Sequence, residues 1–400
     1  MSQAPSTSPI FNPESVEAAA STAPAAPAIA PRPSIIEQRF VVENECHGWR
    51  LDRFLQKRIR RMSRNRIQRV IEGDCDVEGR AARSGMRVFS GQRVSFRRPA
   101  PPEPEVPRDF RVVLADPSFY VIDKPAGLPI HPTGRYHFST LTAVMRERFP
   151  DESLQVAHRL DRETSGLLLV ARTWQAASVL KSAFQKRLIR KRYLAIAHGH
   201  LEQEQLVLEQ PIGPAGSLVR VRMAVRSLAE GGLPSRTDVQ VLERSQKYSL
   251  LECRPFTGRQ HQIRVHLDAI GHPIVGDKLY PDEGVFLRWI ARGGGIEEAE
   301  GESDSEPEER ATTAAQAGLG LAQDDDALLS GQDDWEAGQE DADEPLSEPA
   351  RSAEAGLGLA LPRHALHAAG LIFPHPLTGE PVEVSSPLPQ DLADFFAGDR

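Results

Sequence analysis

The chain has 400 residues, of which 40% are hydrophobic and 26% charged, with a formal net charge of −8. That length implies two to three domains, each burying its own core, and no apolar run approaches the ~18 residues needed to span a bilayer. Residues 1–35 hold no basic segment followed by an apolar core, so a secretory signal is not expected. Cys46, Cys75 and Cys253 lie far apart without CxxC spacing, which argues against disulfides or zinc and for a reducing cytoplasm. His261/His266 and His364/His367 also lack a metal-protease spacing, so no metal is expected.

The net charge hides an asymmetry. Residues 297–355 hold 20 Asp and Glu against two Arg, a local net of −18, which leaves 46 basic and 36 acidic residues elsewhere, or +10. The remainder suits a polyanionic partner.

Residues 1–35, rich in Ala, Pro and Ser, read as a disordered tail. From 38 to 98 the sequence predicts a small α/β module. Leu51, Phe54, Leu55, Ile59 and Met62 fall at helical spacing, and Ser63 caps a second helix carrying Ile67, Val70 and Ile71. Strand-like DCDVEGR and QRVSF follow between glycine turns. Between Arg50 and Arg69 the polar face carries nine Lys or Arg and a single acid, Asp52. A solvated face is the bland reading; so lopsided a face repels itself unless an anion neutralises it, which favours RNA.

PAPPEPEVP (99–107) reads as an extended linker. The next domain, 108–290 with 361–395, opens on two strands ending in a Gly/Pro loop, FRVVLADPSFYVIDKPAGLPI. TWQAASVLKSAFQKRLI predicts an amphipathic helix with Trp174, Ala177, Leu180, Phe184 and Leu188 on one face. KRYLAIAHG is a strand, RTDVQVLER with KYSLLECRP a meander or hairpin, and TGRQHQIRVHLDAIG a helix capped by Thr257 and closed by Gly271. Residues 297–355 predict a disordered acidic insertion, after which GLIFPHPLTGEPVEVSSPLP resumes as a hairpin. Strands outnumber helices without βαβ alternation, so the fold class is α+β with a mainly antiparallel sheet.

HRLDRETSGLLLV (158–170) sets Asp161 and Glu163 among arginines ahead of an apolar run. Alone, it is a loop feeding a buried strand. Its companions are KPAGLPIHP with His131, KRYLA with Tyr193 beside two cations, and GRQHQIRVHL with Arg259 and Arg264. Cations and an aromatic around one carboxylate suit an anionic, base-bearing substrate.

HRLDRETSGLLL, KRYLAIAHG, GRQHQIRVHL with GHPIVGDKLY, and RHALHAAGLIFPHPLTGEP together resemble the RluA-type pseudouridine synthases from about Val112 to Leu388, the acidic insertion excepted; the basic module resembles an S4 RNA-binding domain. The resemblance implies a pseudouridine synthase fold and a cofactor-free isomerase acting on uridine in RNA, most simply 23S ribosomal RNA, with transfer RNA open. It implies Asp161 as the essential aspartate, Arg264 as its basic partner, Tyr193 as the aromatic stacking on the base, and Arg159 as the residue filling the gap left by the extruded nucleotide. The carboxylate either bonds to the sugar or removes a ribose proton, and the residues leave both routes open. Glu163 reads as an ion-pair partner rather than a second acid. The rivals are a non-catalytic assembly factor on the same fold, and a hydrolase using Asp161 on another glycosidic bond.

Overall fold

The computed structural model describes residues 35–59, 64–100, 102–133, 136–217, 219, 221–280, 282–291 and 359–400. The expected tail up to residue 34, Met62 and Ser63 of the helix pair, and the acidic stretch 297–355 lie outside the described residues.

Strands β1 (Ile35–Val41), β2 (Cys75–Val77), β3 (Arg80–Ala81) and β4 (Arg93–Pro99) form an antiparallel sheet in the order β1-β4-β2-β3. Helices α1 (Leu51–Arg58) and α2 (Arg64–Asp74) bring Leu51, Phe54, Leu55, Ile67 and Ile71 into one buried cluster with Val94 and Phe96, as their spacing predicts. Asp52 corrects the sequence reading. It does not sit on the polar face but is fully buried, accepting hydrogen bonds from Arg50 (Nε 3.1 Å, Nη2 3.0 Å), Arg64 Nη2 (3.1 Å), Gln68 Nε2 (3.0 Å) and the Arg53 amide (2.8 Å). A carboxylate taken out of water needs such partners, so this hub ties α1 to α2. Arg58 pairs with Glu43 at 2.6 Å, and Lys57 pairs with Glu43 and Glu45. Among the described residues at least four of these cations are therefore compensated internally, and the face is less lopsided than its sequence.

The proline-rich linker is anchored rather than loose. Buried Glu103 accepts from the amides of His137 (2.8 Å), Phe138 (2.8 and 3.0 Å) and Ser139 (2.6 Å), just ahead of α3 (Leu141–Arg148).

The larger unit is α+β, built on ten strands. In chain order they are β5 (Arg111–Ala115), β6 (Phe119–Lys124), β7 (Gln155–Val156), β8 (Ser165–Ala171), β9 (Arg190–His198), β10 (Gln205–Leu208), then β13 (Thr237–Arg244), β14 (Tyr248–Pro255), β15 (Leu366–Pro374) and β16 (Pro381–Ser385). The main path runs β10-β13-β14-β9-β15-β8-β6-β5, with β16 paired to β15 and β7 to β8. The expected strand pairs β5/β6, β13/β14 and β15/β16 all form. Strands β11 (Ile212–Pro214) and β12 (Met223–Val225) make a separate ribbon. Among the described residues the one parallel pairing in this sheet is β8 with β15, His367 against Ser165 and Ala368 against Gly166. All seven residues of β8 are buried, which explains its unbroken apolar run.

That pairing requires Gly166. Its φ is +110°, and a Cβ there would collide with the backbone oxygen and nitrogen of Ala368. Gly379 has φ +77° but open space around it. Gly166→Ala should therefore lower unfolding stability by about 3 kcal/mol or more, and Gly379→Ala by only about 1 kcal/mol. Urea midpoints of the two variants measure the difference, and equal losses would mean that the close approach is not what fixes Gly166.

Helix α4 (Trp174–Gln185) forms where expected, with Leu180 buried and Ala177 and Phe184 packed against the same cluster, but the two ends of the expected stripe are exposed. Ala176, Leu180 and Ala183 are buried, whereas Trp174 is 64% and Leu188 57% exposed. The small alanines let the helix lie close to β8, and the larger flanking residues are left outside. The described chain closes on α7 (Gln390–Ala397). No helix among the described residues is long and apolar enough to cross a membrane.

Candidate active site

Asp161 sits in the turn that leads into β8, whose apolar residues fix the strand and leave the turn to project at its amino-terminal end. Facing it is α5 (Gln262–Ala269), on which Arg264 is only 7% exposed. Arg264 Nη1 donates to Asp161 Oδ2 at 2.8 Å. Its other edge is held by Asp277, Nε to Oδ2 at 2.7 Å and Nη2 to Oδ1 at 2.9 Å. Asp277 in turn accepts the amides of Leu279 (2.9 Å) and Tyr280 (3.2 Å). The planar guanidinium thus bridges two carboxylates, a geometry an ammonium does not reproduce. Burial disfavours charge on Asp161, but His261 and Arg264 around it override this and hold its carboxyl well below the usual range.

Tyr193 lies on β9, partly buried and packed against two of the apolar clusters. Burial, and then the charge of Asp161, raises its phenol above the ordinary value. Asp161, Tyr193 and Arg264 are thus brought together. Arg159 is exposed beyond them, on the solvent side of the same turn. It lies near His131, whose protonation is disfavoured by desolvation and then by the charges of Arg159 and Arg146. Arg259 is turned aside, its Nε donating to the Pro234 carbonyl at 3.1 Å.

The start of α5 corrects the sequence reading. Thr257 does not cap it; His261 stands at that position with φ +55°, and Thr257 Oγ1 instead donates to Gln262 Oε1 at 2.7 Å. The helix does close before Gly271, which has φ +82°.

Three kinds of similarity accompany this geometry. Residues 118–269 match the family model described as RNA pseudouridylate synthase. The chain is 36% identical over 258 residues to ribosomal large subunit pseudouridine synthase D of Nitrosomonas europaea, covering 60% of this chain and 71% of that one. It is 31% identical over 371 residues to the protein of the same name in Xanthomonas campestris, covering 91% and 92%. The chain belongs to the RluA-type RNA pseudouridine synthase family. It is an RNA pseudouridine synthase, an isomerase of uridine in RNA. The mitochondrial tRNA pseudouridine(32) synthase of Saccharomyces cerevisiae is 32% identical over 232 residues, covering 57% of this chain and 49% of that one. Among solved structures, human RNA pseudouridylate synthase domain containing 1 aligns at 25% identity with a TM-score of 0.46, over 72% of this chain and 86% of that one.

Several residues of this pseudouridine synthase escaped the sequence reading. Asp277 is one; its GDKLY stretch stood out only as part of the resemblance. Glu163 is a hub, accepting from Lys278 Nζ (2.9 Å), Arg162 Nη2 (3.1 Å) and the His364 amide (3.2 Å). Burial opposes its ionisation, and Lys278 and Arg162 outweigh burial, so Glu163 is an ion-pair partner, as expected of it. Arg162 also donates to Tyr136 Oη at 2.7 Å, and Trp289 of α6 (Glu283–Ala291) lies against both Arg162 and Lys278, each 5.3 Å from its ring. Beneath the turn, fully buried Lys124 donates to the carbonyls of Pro125 (2.8 Å), Leu128 (2.9 Å) and Arg162 (3.0 Å), and burial pulls its ammonium down to about 7. Lys191, two residues before Tyr193 on the same strand face, donates to the Thr257 carbonyl at 3.1 Å, and burial lowers it to about 8. Contacts joining residues 100 to 200 positions apart leave no periodic trace in a sequence.

Proposed function

We propose that the chain converts uridine to pseudouridine in structured 23S ribosomal RNA, with the Asp161 carboxylate acting on the sugar of a flipped-out nucleotide. The observation that carries this reading is the Asp161–Arg264–Asp277 bridge, which keeps one carboxylate ionised at the mouth of a buried strand. A stacked base cannot present its glycosidic bond, so the nucleotide must leave the helix at a cost of a few kcal/mol. Tyr193 stacks on the freed base, and Arg159 takes its place in the RNA. His131 and Arg259 contact RNA at the rim, and no metal or organic cofactor takes part. The carboxylate then stabilises or traps C1′ as the N1–C1′ bond breaks, the ring turns, and C5 bonds to C1′.

Relatives named for the large ribosomal subunit favour that RNA, and the yeast mitochondrial relative supports transfer RNA as the second reading. Incubating the purified chain with unmodified 23S and transfer RNA transcripts, then digesting them to nucleosides, tests both. Pseudouridine from 23S RNA without free uracil is the expected result. Conversion of transfer RNA alone would move the target, and uracil release would make the protein a hydrolase.

In this reading residues 38–98 are an S4-like RNA-binding module, residues 99–107 the linker, and residues 108–290 with 361–395 the catalytic domain in a cytoplasmic enzyme. Deleting residues 1–98 should leave the rest folded, weaken capture of structured RNA and flatten its salt dependence. Arg50 and Arg64, paired with Asp52, and Lys57 and Arg58, paired with Glu43 and Glu45, should contribute less to that slope than their number suggests. An unchanged slope in filter binding across a salt series would show that this module does not meet phosphate.

A further inference from the structure

His261 is one of three non-glycine residues with positive φ among the described residues. The other two, Glu78 and Arg187, are exposed in turns, but the His261 side chain is only 10% exposed and faces Asp161. Strain of this kind persists only where the surroundings impose it, and it gathers at working sites. Two contacts orient the ring. Its Nδ1 lies 3.1 Å from Tyr280 Oη, and its Nε2 lies 4.0 Å from Asp161 Oδ2.

The proton positions follow from these neighbours. Tyr280 Oη accepts the Met223 amide at 3.0 Å, leaving its own hydrogen for Nδ1 of His261 or for the Met223 carbonyl at 3.2 Å. A bare Nε2 would aim a lone pair at a carboxylate. The neutral tautomer with hydrogen on Nε2, and Nδ1 free to accept a hydrogen bond from Tyr280 Oη, satisfies both sides. Burial and the adjacent Arg264 keep the imidazole neutral, with its pKa pulled down to about 3. At 4.0 Å the Nε2–H group is too far from Asp161 to be consumed by it, and Arg264 already occupies that oxygen. A neutral, oriented donor therefore stands beside the reacting carboxylate with no acceptor at hydrogen-bonding distance among the described residues.

We infer that His261 is a further catalytic residue, its Nε2–H donating a hydrogen bond to a carbonyl oxygen of uracil as the base departs from C1′. This rests on the proposal that Asp161 acts at that carbon. When N1–C1′ breaks, its electron pair stays on the ring and spreads over N1 and the carbonyl oxygens. C1′ is meanwhile satisfied by the Asp161 oxygen, or by a double bond once that oxygen removes the C2′ proton. When C5 bonds to C1′, the carboxylate is released, or returns the proton to C2′. The C5 proton then passes to water and N1 gains one. His261 surrenders no proton in this sequence; it stabilises charge, and a neutral donor suits that role.

The test compares His261→Asn with the unaltered chain on one RNA made with uridine and again with 5-fluorouridine. Asn tolerates the left-handed backbone but is too short to reach the base. Fluorine makes the departing uracil anion a weaker base, so bond breaking needs less help. On uridine RNA kcat should fall roughly 100-fold with KM within about twofold, the scale of losing one oriented donor to a developing anion. On 5-fluorouridine RNA, nucleoside consumption should fall at least about tenfold less. An equal loss on both RNAs, or no loss on uridine, would overturn the inference. His261→Gln is measured in parallel, so that a folding defect in the Asn variant, seen by thermal melting, still leaves a reading. Asp161→Asn in the same assay separates the two claims: if it stays active, the proposed chemistry itself fails, whereas an inactive Asp161→Asn beside a uniform loss at His261 removes only the role of His261.

Discussion

Asp161→Asn should abolish isomerisation while leaving RNA affinity within a few-fold of the original. The amide preserves shape and still accepts from Arg264, but it removes the negative charge required at the sugar. Losses confined to the transition state commonly reach several powers of ten in kcat. Multiple-turnover kinetics beside filter binding on the same RNA measure both halves. The ionisation of Asp161 adds a pH expectation. Burial works against the charged form, but the surrounding positive charge wins and its pKa falls below the ordinary carboxylate value of about 4. A group shifted down is ionised everywhere above that value, so no acidic limb assignable to Asp161 should appear between pH 5 and 8. Its contribution to stability, present above the unfolded pKa, should be lost only in strong acid. Turnover by the Asn variant within tenfold of the original would remove Asp161 from the chemistry.

The second large effect is expected at Asp277. Its side chain is wholly buried and supplies two of the three carboxylate contacts to Arg264. Asp277→Asn leaves a buried guanidinium half-paired, which typically costs about 3–5 kcal/mol. It also frees Arg264 to swing, so activity should fall with stability. Replacing both partners by apolar residues, Arg264→Met with Asp277→Leu, should recover much of the stability, because well-packed apolar pairs often match buried ion pairs. It should recover no activity, because Asp161 then has no cation. Urea midpoints and turnover on the three proteins check this. A double variant with restored activity would show that the bridge serves folding alone.

Much of this architecture is legible in the sequence where periodicity reflects burial. SGLLLVA announces a strand buried on both faces, and the helix pair around Phe54 and Ile67 follows its spacing. On helix α4 the expected Leu180 is buried, but the two ends of that stripe, Trp174 and Leu188, are exposed, and Ala176 and Ala183 fill the face instead. Composition favours the larger side chain, whereas close packing against β8 favours the smaller. Asp52 departs from expectation for a related reason, since a charged residue beside arginines suggests a solvated face whereas five hydrogen bonds hold it in the interior. At the site, the HRLD and HQIR stretches mark Asp161 and Arg264 through resemblance. The left-handed backbone of His261 and the hub at Glu163 are set by tertiary contacts that no local pattern encodes.

The most direct measurement is a map of pseudouridines in the RNA of cells lacking this chain, complemented with the original gene or with Asp161→Asn. The account predicts that one or more positions in 23S RNA revert to uridine on deletion, return with the original gene, and stay uridine with the Asn allele expressed at equal level. An unchanged map after deletion, or restoration by the Asn allele, would contradict it.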